Sequence, residues 1–205
     1  MCPSRTLKRK TRRHKNRNTI LVLGVIVIAV LIIAVYFVFY SNANNNSIPT
    51  GPPNSVLLRT TMGDILIQLR NDTPITSTNF KNLVQEGVYN GTIFHRVIKD
   101  MMIQGGDPTG TGYGDLNIPT IEDEITSTSN NTRGTVAMAN TGQPNSASSQ
   151  FFINVSNNTY LDGDYAVFGD VIKGMEVADN ISNVTVNSNY RPYQSITVTS
   201  ALYFG

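Results

Sequence analysis

TIFHRVIKDMMIQGG (92–106) decides the fold class. TIFHRVI and MMIQGG read as two short strands, rich in β-branched and bulky apolar residues and bounded by polar or glycine-bearing breaks. Working outward, the same kind of run recurs. SVLLRTT and DILIQL flank Met62-Gly63 and predict a hairpin with its tight turn at that pair. TRGTVAMAN, SQFFINV and YAVFGDVI follow, divided by loops rich in Asn, Gly and Ser, and SITVTSALYF closes the chain with a last strand. Neighbouring residues on a strand point to opposite faces, so Phe151 and Phe152 are expected on opposite sides of their strand.

Two helices interrupt the strands. In DTPITSTNFKNLVQEG, Thr73 can act as N-cap, Pro74 occupies a first-turn position that needs no amide donor, and Gly87 can end the helix. Phe80, Leu83 and Val84 share one face. GMEVADNIS is a shorter second helix. The region from residue 55 onward is therefore mainly β and antiparallel, without internal repeats. A closed barrel suits it, because closure removes exposed strand edges.

Charge is divided unevenly along the 205 residues. Sixteen Lys and Arg oppose fourteen Asp and Glu, a formal +2, but residues 1–18 carry eight of the basic residues and no acid. The remainder holds eight basic against fourteen acidic residues, or −6. A nucleic-acid-binding domain is disfavoured, since the cationic surface is confined to the tail. The single cysteine, Cys2, excludes an intrachain disulfide framework and a cysteine-based zinc site.

Residues 20–40, ILVLGVIVIAVLIIAVYFVFY, carry no charge. As a helix this run spans roughly 32 Å, enough for a hydrocarbon core of about 30 Å. The basic run before it predicts a cytoplasmic amino terminus, and the aromatic cluster at its far end suits the opposite interface. A cleaved signal peptide has a shorter apolar core, so an uncleaved anchor is the preferred reading. The expected organisation is a basic cytoplasmic tail (1–18), a single transmembrane helix (19–40), a flexible linker (41–54) and a globular domain (55–205) outside the cell membrane.

The runs FHRVIKDMMIQGGDP (94–108), GTVAMAN (134–140), SSQFFINV (148–155) and YLDGDYAVFGDVI (160–172), in this order and spacing, resemble the cyclophilin family of peptidyl-prolyl cis-trans isomerases. The resemblance implies an eight-stranded antiparallel barrel capped by two helices, with a substrate groove on its outer surface. It implies Arg96 as the catalytic residue. Gln104 would help hold that guanidinium and the substrate backbone. Met102, Phe152 and Leu161 would line the proline pocket, with Met101 at its rim. Ala139 and Asn140 would hold the peptide main chain, and His95, Gln150, Tyr160 and Tyr165 would complete the lining. Outside this combination Arg96 would read as a surface salt-bridge partner and His95 as a structural residue.

Three positions depart from the family pattern. Met101 stands where an aromatic residue is usual, Tyr165 replaces a frequent His, and Tyr160 stands where cyclosporin-sensitive members carry Trp, so weak or no cyclosporin binding is expected. The implied function is rotation of Xaa-Pro bonds in exported or surface proteins, assisting their folding, by a monomer that needs no cofactor or metal. Its partners would be proline-containing unfolded or flexible polypeptides and, through the amino-terminal helix, the membrane. The alternative is a proline-peptide-binding chaperone or scaffold without relevant turnover.

Two other motifs read as structural. GTGYG (110–114) lacks the Lys-Ser/Thr ending of a phosphate loop, and IEDEI (121–125) reads as a solvated acidic loop. The pattern Asn-x-Ser/Thr occurs eight times, at Asn45, Asn71, Asn90, Asn130, Asn154, Asn157, Asn180 and Asn183. Asn154 lies within a predicted strand, which argues against its use as a glycan acceptor.

Overall fold

The computed structural model describes residues 30–34 and 50–205. The expected membrane span falls outside the described residues except for 30–34, which are helical with Val30, Leu31, Ile32 and Ile33 exposed. Among the described residues, no helix is long and apolar enough to cross a membrane.

Residues 50–205 form their own compact unit. Its strands are β1 (Ser55–Thr60), β2 (Gly63–Leu69), β3 (Arg96–Ile98), β4 (Met102–Gly105), β5 (Thr135–Met138), β6 (Phe151–Asn154), β7 (Val167–Lys173) and β8 (Val198–Phe204). They join in one antiparallel sheet of order β3-β4-β6-β5-β7-β2-β1-β8. Helix α1 (Pro74–Gln85) packs on β8 and β7, and α2 (Met175–Ser182) on β2, β4 and β3.

The barrel is not closed, contrary to the expectation. The edge strands β3 and β8 form no ladder with each other. β3 is only three residues long, and its Val97 amide donates instead to Tyr190 O (2.8 Å) in the loop before β8. The seam is sewn by the segment ahead of β3: Gly91 N donates to Val198 O, Val198 N to Thr92 O and Phe94 N to Ile196 O, at 2.8–3.0 Å. Loop and pre-strand bonds thus cover the edge that closure would have removed.

The inner face carries the core. Val97, Ile103, Ile153 and Val136 stand opposite one another across four strands and are fully buried. Phe80 of α1 plugs one end, its ring 4.9 Å from Tyr89, 5.3 Å from Phe151 and 4.8 Å from Phe168. Tyr89 resolves its one polar group by donating to Ser149 O (2.9 Å), and burial pushes its phenol pKa well up.

Local details refine the sequence reading. The β1–β2 turn is Thr61-Met62, one residue earlier than expected: Thr60 pairs with Gly63, and the Thr60 hydroxyl donates to Gly63 O (2.7 Å) and accepts from Met62 N (3.0 Å). Gly87 ends α1 as expected, at φ +76°, with Gly87 N on Val84 O and Val88 N on Leu83 O. At the other end Thr73 occupies the N-cap position, but its side chain makes no cap bond. Glu124 supplies the cap from outside the helix, its Oε2 accepting from Thr76 N (2.6 Å) and Thr76 Oγ1 (2.8 Å). The acidic loop 121–125 is therefore tied down rather than freely solvated. Asp123 and Asn145 also exchange two side-chain-to-amide bonds of 2.9 and 2.7 Å.

Candidate active site

One cross-strand row builds the site. Arg96 faces Gln104, Gln104 faces Phe152, Phe152 faces Ala137, and Ala137 faces Val167, so the row runs across β3, β4, β6, β5 and β7. Residues directly opposite share a face of the sheet, and their sequence neighbours take the other. The neighbours Val97, Ile103, Ile153 and Val136 form the core, so this row must face outward. Phe151 is accordingly in the main core, and Phe152 belongs to a separate outer cluster with Met102, Ala137 and Val167.

Around that cluster lies a cavity of about 300 Å³, lined by Arg96, Met101, Met102, Gln104, Ala139, Asn140, Phe152, Leu161 and Tyr165. Its floor is apolar: Met102 and Phe152 are almost wholly enclosed, and Phe152 meets Tyr165 edge-to-face at 5.3 Å and 89°. Its rim is cationic, because Arg96 is exposed. An apolar notch with a charged group confined to its rim suits a compact apolar ring whose polar atoms stay at the edge.

A relay of side-chain amides orients the arginine. Arg96 Nη1 donates to Gln104 Oε1 (3.1 Å), Gln104 Nε2 to Gln150 Oε1 (3.0 Å), and Gln150 Nε2 to Gly112 O (3.0 Å). Gln150 therefore does not line the cavity; it stands behind Gln104. Ala139 N is spent on Gln150 O (2.9 Å), while the Asn140 side chain donates to Asp164 O (2.9 Å) and accepts from Gly142 N (3.0 Å). Neither Ala139 O nor the Asn140 backbone has a partner among the described residues. These main-chain groups are open to an extended peptide.

Two expected residues stand apart. Tyr160, on the short 3₁₀ turn Thr159–Leu161, is 66% exposed and outside the cavity lining. His95 is buried on the other side of Arg96, with Nδ1 lacking a partner. Burial pushes its imidazole below the ordinary range; the Asp107 charge opposes this, and the Arg191 and Arg96 charges reinforce it.

Asp107 organises the loop behind. Burial would raise its carboxyl, but bonds from the Thr109 hydroxyl and the amides of Gly112, Thr109 and Gly114 outweigh that and hold it below the usual carboxylate range. Within GTGYG the Gly112 and Gly114 amides are thus committed to an internal anion, while Gly110 N donates to the Asp107 backbone carbonyl and the Thr111 and Tyr113 amides donate to threonine hydroxyls. The loop starts at Gly106, whose φ of +83° favours glycine and where a Cβ would lie 2.7 Å from Phe151 and from Ser149 O.

Sequence reasoning did not single out Arg191. It lines a second cavity of about 330 Å³ that shares Arg96 and Gln104 with the first and also includes His95, Thr111, Gly112 and Tyr113. The only local signal was an arginine beside a proline in a loop. Among the described residues no three His, Cys, Asp or Glu side chains gather as a metal site.

Residues 55–202 match the family described as cyclophilin type peptidyl-prolyl cis-trans isomerase/CLD. A peptidyl-prolyl cis-trans isomerase of Acinetobacter baylyi is 47% identical over 147 residues, covering 69% of this chain and 78% of that protein. The isomerase ppi1 of Schizosaccharomyces pombe is 43% identical over 152 residues, covering 72% and 97%. The crystal structure of a cyclophilin-type isomerase of Cryptosporidium parvum superposes with a TM-score of 0.71 at 35% identity, covering 74% of this chain and 98% of the other. A second structure of that protein was determined in the presence of the dipeptide Ala-Pro.

Proposed function

This chain belongs to the cyclophilin-type peptidyl-prolyl cis-trans isomerases and rotates Xaa-Pro bonds, and we propose that Arg96 is the group through which it does so. The rotation barrier of about 18–20 kcal/mol arises because the imide nitrogen donates its lone pair into the carbonyl. At a 90° twist that donation ends and the lone pair returns to nitrogen. A donor aimed at the nitrogen is then engaged only in the twisted state, so it lowers the barrier instead of tightening substrate binding. Arginine fits this role because it is permanently charged and its planar fork reaches two acceptors at once.

The remaining residues hold the substrate still. Met102, Phe152 and Leu161 grip the proline ring, Met101 and Tyr165 complete the wall, and the Ala139 carbonyl and Asn140 backbone pair with the peptide main chain. Gln104 fixes the guanidinium. No bond is made or broken, so the step moves no proton and calls on no cofactor. The observation that carries this reading is the placement of Arg96 at the rim of the apolar notch, held there by Gln104 at 3.1 Å. The Cryptosporidium structure determined in the presence of Ala-Pro supports proline peptides as the ligand class. Exchange spectroscopy on a short Xaa-Pro peptide with the full-length chain in detergent tests it. Accelerated exchange supports the isomerase reading, and binding without acceleration selects the scaffold alternative.

The setting proposed for this activity is the outer face of the cell membrane, with residues 20–40 as a single-pass anchor, the basic tail inside and exported polypeptides as clients. The uncharged run, the eight basic residues before it and the exposed apolar side chains of the helical residues 30–34 support this. Tethering would raise the enzyme's concentration near emerging chains. Protease added to intact cells should remove the domain; a protected domain contradicts the orientation. The enzyme is proposed to work as a monomer, since one chain supplies every residue lining the cavity. It is also proposed to bind cyclosporin weakly or not at all, because Tyr160 replaces Trp and lies outside the notch.

A further inference from the structure

The second cavity is positively charged in a domain that is otherwise acidic. Of the eight basic residues beyond the tail, Arg96 and Arg191 both line it, and no carboxylate does. Neither arginine forms a salt bridge among the described residues. The one acid close behind, Asp107, is buried and committed to its own loop.

The position of Arg191 is built. Asn187 N donates to Arg191 O (2.9 Å), Asn187 Oδ1 accepts from Arg191 N (3.0 Å), and Val97 N fastens the adjoining Tyr190 O to the strand that carries Arg96. Arg191 Nη1 donates to Gly110 O (2.8 Å), an uncharged partner that leaves its positive charge uncompensated. Tyr113, 94% exposed, adds an aromatic surface to the same cavity.

We infer that this cavity is a subsite for an acidic side chain of the client, an Asp or Glu two or three residues from the proline held in the first cavity. The inference rests on the first cavity being the proline site. The two cavities share Arg96 and Gln104 as a common wall, so a peptide leaving the notch on that side meets Arg191 next. An extended chain advances about 3.3 Å per residue, so two or three residues suffice to pass over one side chain. A carboxylate there exchanges water for a guanidinium fork and rests against the Tyr113 ring.

The test uses the full-length chain in detergent and a set of peptides with one Xaa-Pro bond and a single Glu placed two or three residues to either side, each matched by Gln. Affinity is read by fluorescence anisotropy and turnover by exchange spectroscopy. At one or more positions the Glu peptide should bind about fivefold tighter than its Gln partner at low salt, the upper end of what an exposed charge pair contributes. The ratio should fall towards one at about 1 M salt, where charges are screened within about 3 Å. Arg191→Gln should bring the ratio below about twofold, and Arg191→Lys should retain most of it. A ratio near one at every position, or one that Arg191→Gln leaves unchanged, overturns the subsite. Glu preference without accelerated exchange keeps the subsite and removes the isomerase reading. Accelerated exchange without Glu preference does the reverse, and a chain that neither binds nor accelerates these peptides removes both.

Discussion

Gln104 stands directly opposite Arg96 on the β3–β4 ladder and accepts a hydrogen bond from its guanidinium at 3.1 Å. Two short strands thereby fix the direction of the exposed cation. Gln104→Ala removes this hold while keeping the charge. The expected result is a loss of about tenfold in kcat, or ~1.4 kcal/mol of barrier, with KM within about twofold. Steady-state exchange measured at several peptide concentrations separates the two parameters. A change confined to KM would assign Gln104 to substrate binding alone.

Phe151 and Phe152 are sequence neighbours with opposite roles. Phe151→Ala opens a cavity among Phe80, Tyr89 and Phe94 and should cost about 3–5 kcal/mol of stability. Phe152→Ala, on the outer face, should lower stability less and raise KM for proline peptides severalfold. Urea denaturation and peptide titration of the two variants check this contrast.

Helix α1 depends on a carboxylate far away in the chain. Glu124→Gln weakens the acceptor that serves Thr76 N and Thr76 Oγ1, and Glu124→Ala removes it. The alanine variant should lose about 1 kcal/mol, the typical worth of an N-terminal cap. A double-mutant cycle with Thr76→Val should show coupling between the two positions; strict additivity would mean that the contact contributes nothing.

Acid sensitivity is expected from Asp107. Its folded-state carboxyl titrates below the unfolded value of about 3.9. The stabilisation is therefore present above that range and is lost as pH falls through the folded value. Asp107→Asn should destabilise the protein at pH 7, and the gap between variant and wild-type urea midpoints should narrow below about pH 4. A gap that is constant with pH would show that the charge on Asp107 is irrelevant to the loop.

What could be read from the sequence was what repeats locally or travels in compact motifs. Strand alternation separated Phe151 from Phe152, Pro74 and Gly87 bracketed α1, and the order of FHR, QGGD, MAN and SQFFI brought out the residues that the fold gathers around one notch. Contacts between distant segments left no local trace. Glu124 caps a helix 48 residues away. Tyr190 takes the Val97 amide across the seam, which leaves the barrel open, and Arg191 reaches the flank of Arg96 by the same route. The buried link of Asn154 to Asn131, Thr135 and Asn158 is likewise invisible in composition, where Asn131 and Asn158 look like solvated loop residues.

The most direct test is the exchange rate of a short Xaa-Pro peptide under the wild-type chain and under Arg96→Ala, measured by two-dimensional exchange NMR at matched peptide occupancy. The variant should still bind the peptide but interconvert its cis and trans forms at least about tenfold more slowly, equivalent to about 1.4 kcal/mol of lost barrier reduction. Equal interconversion rates at equal occupancy would contradict the role assigned to Arg96.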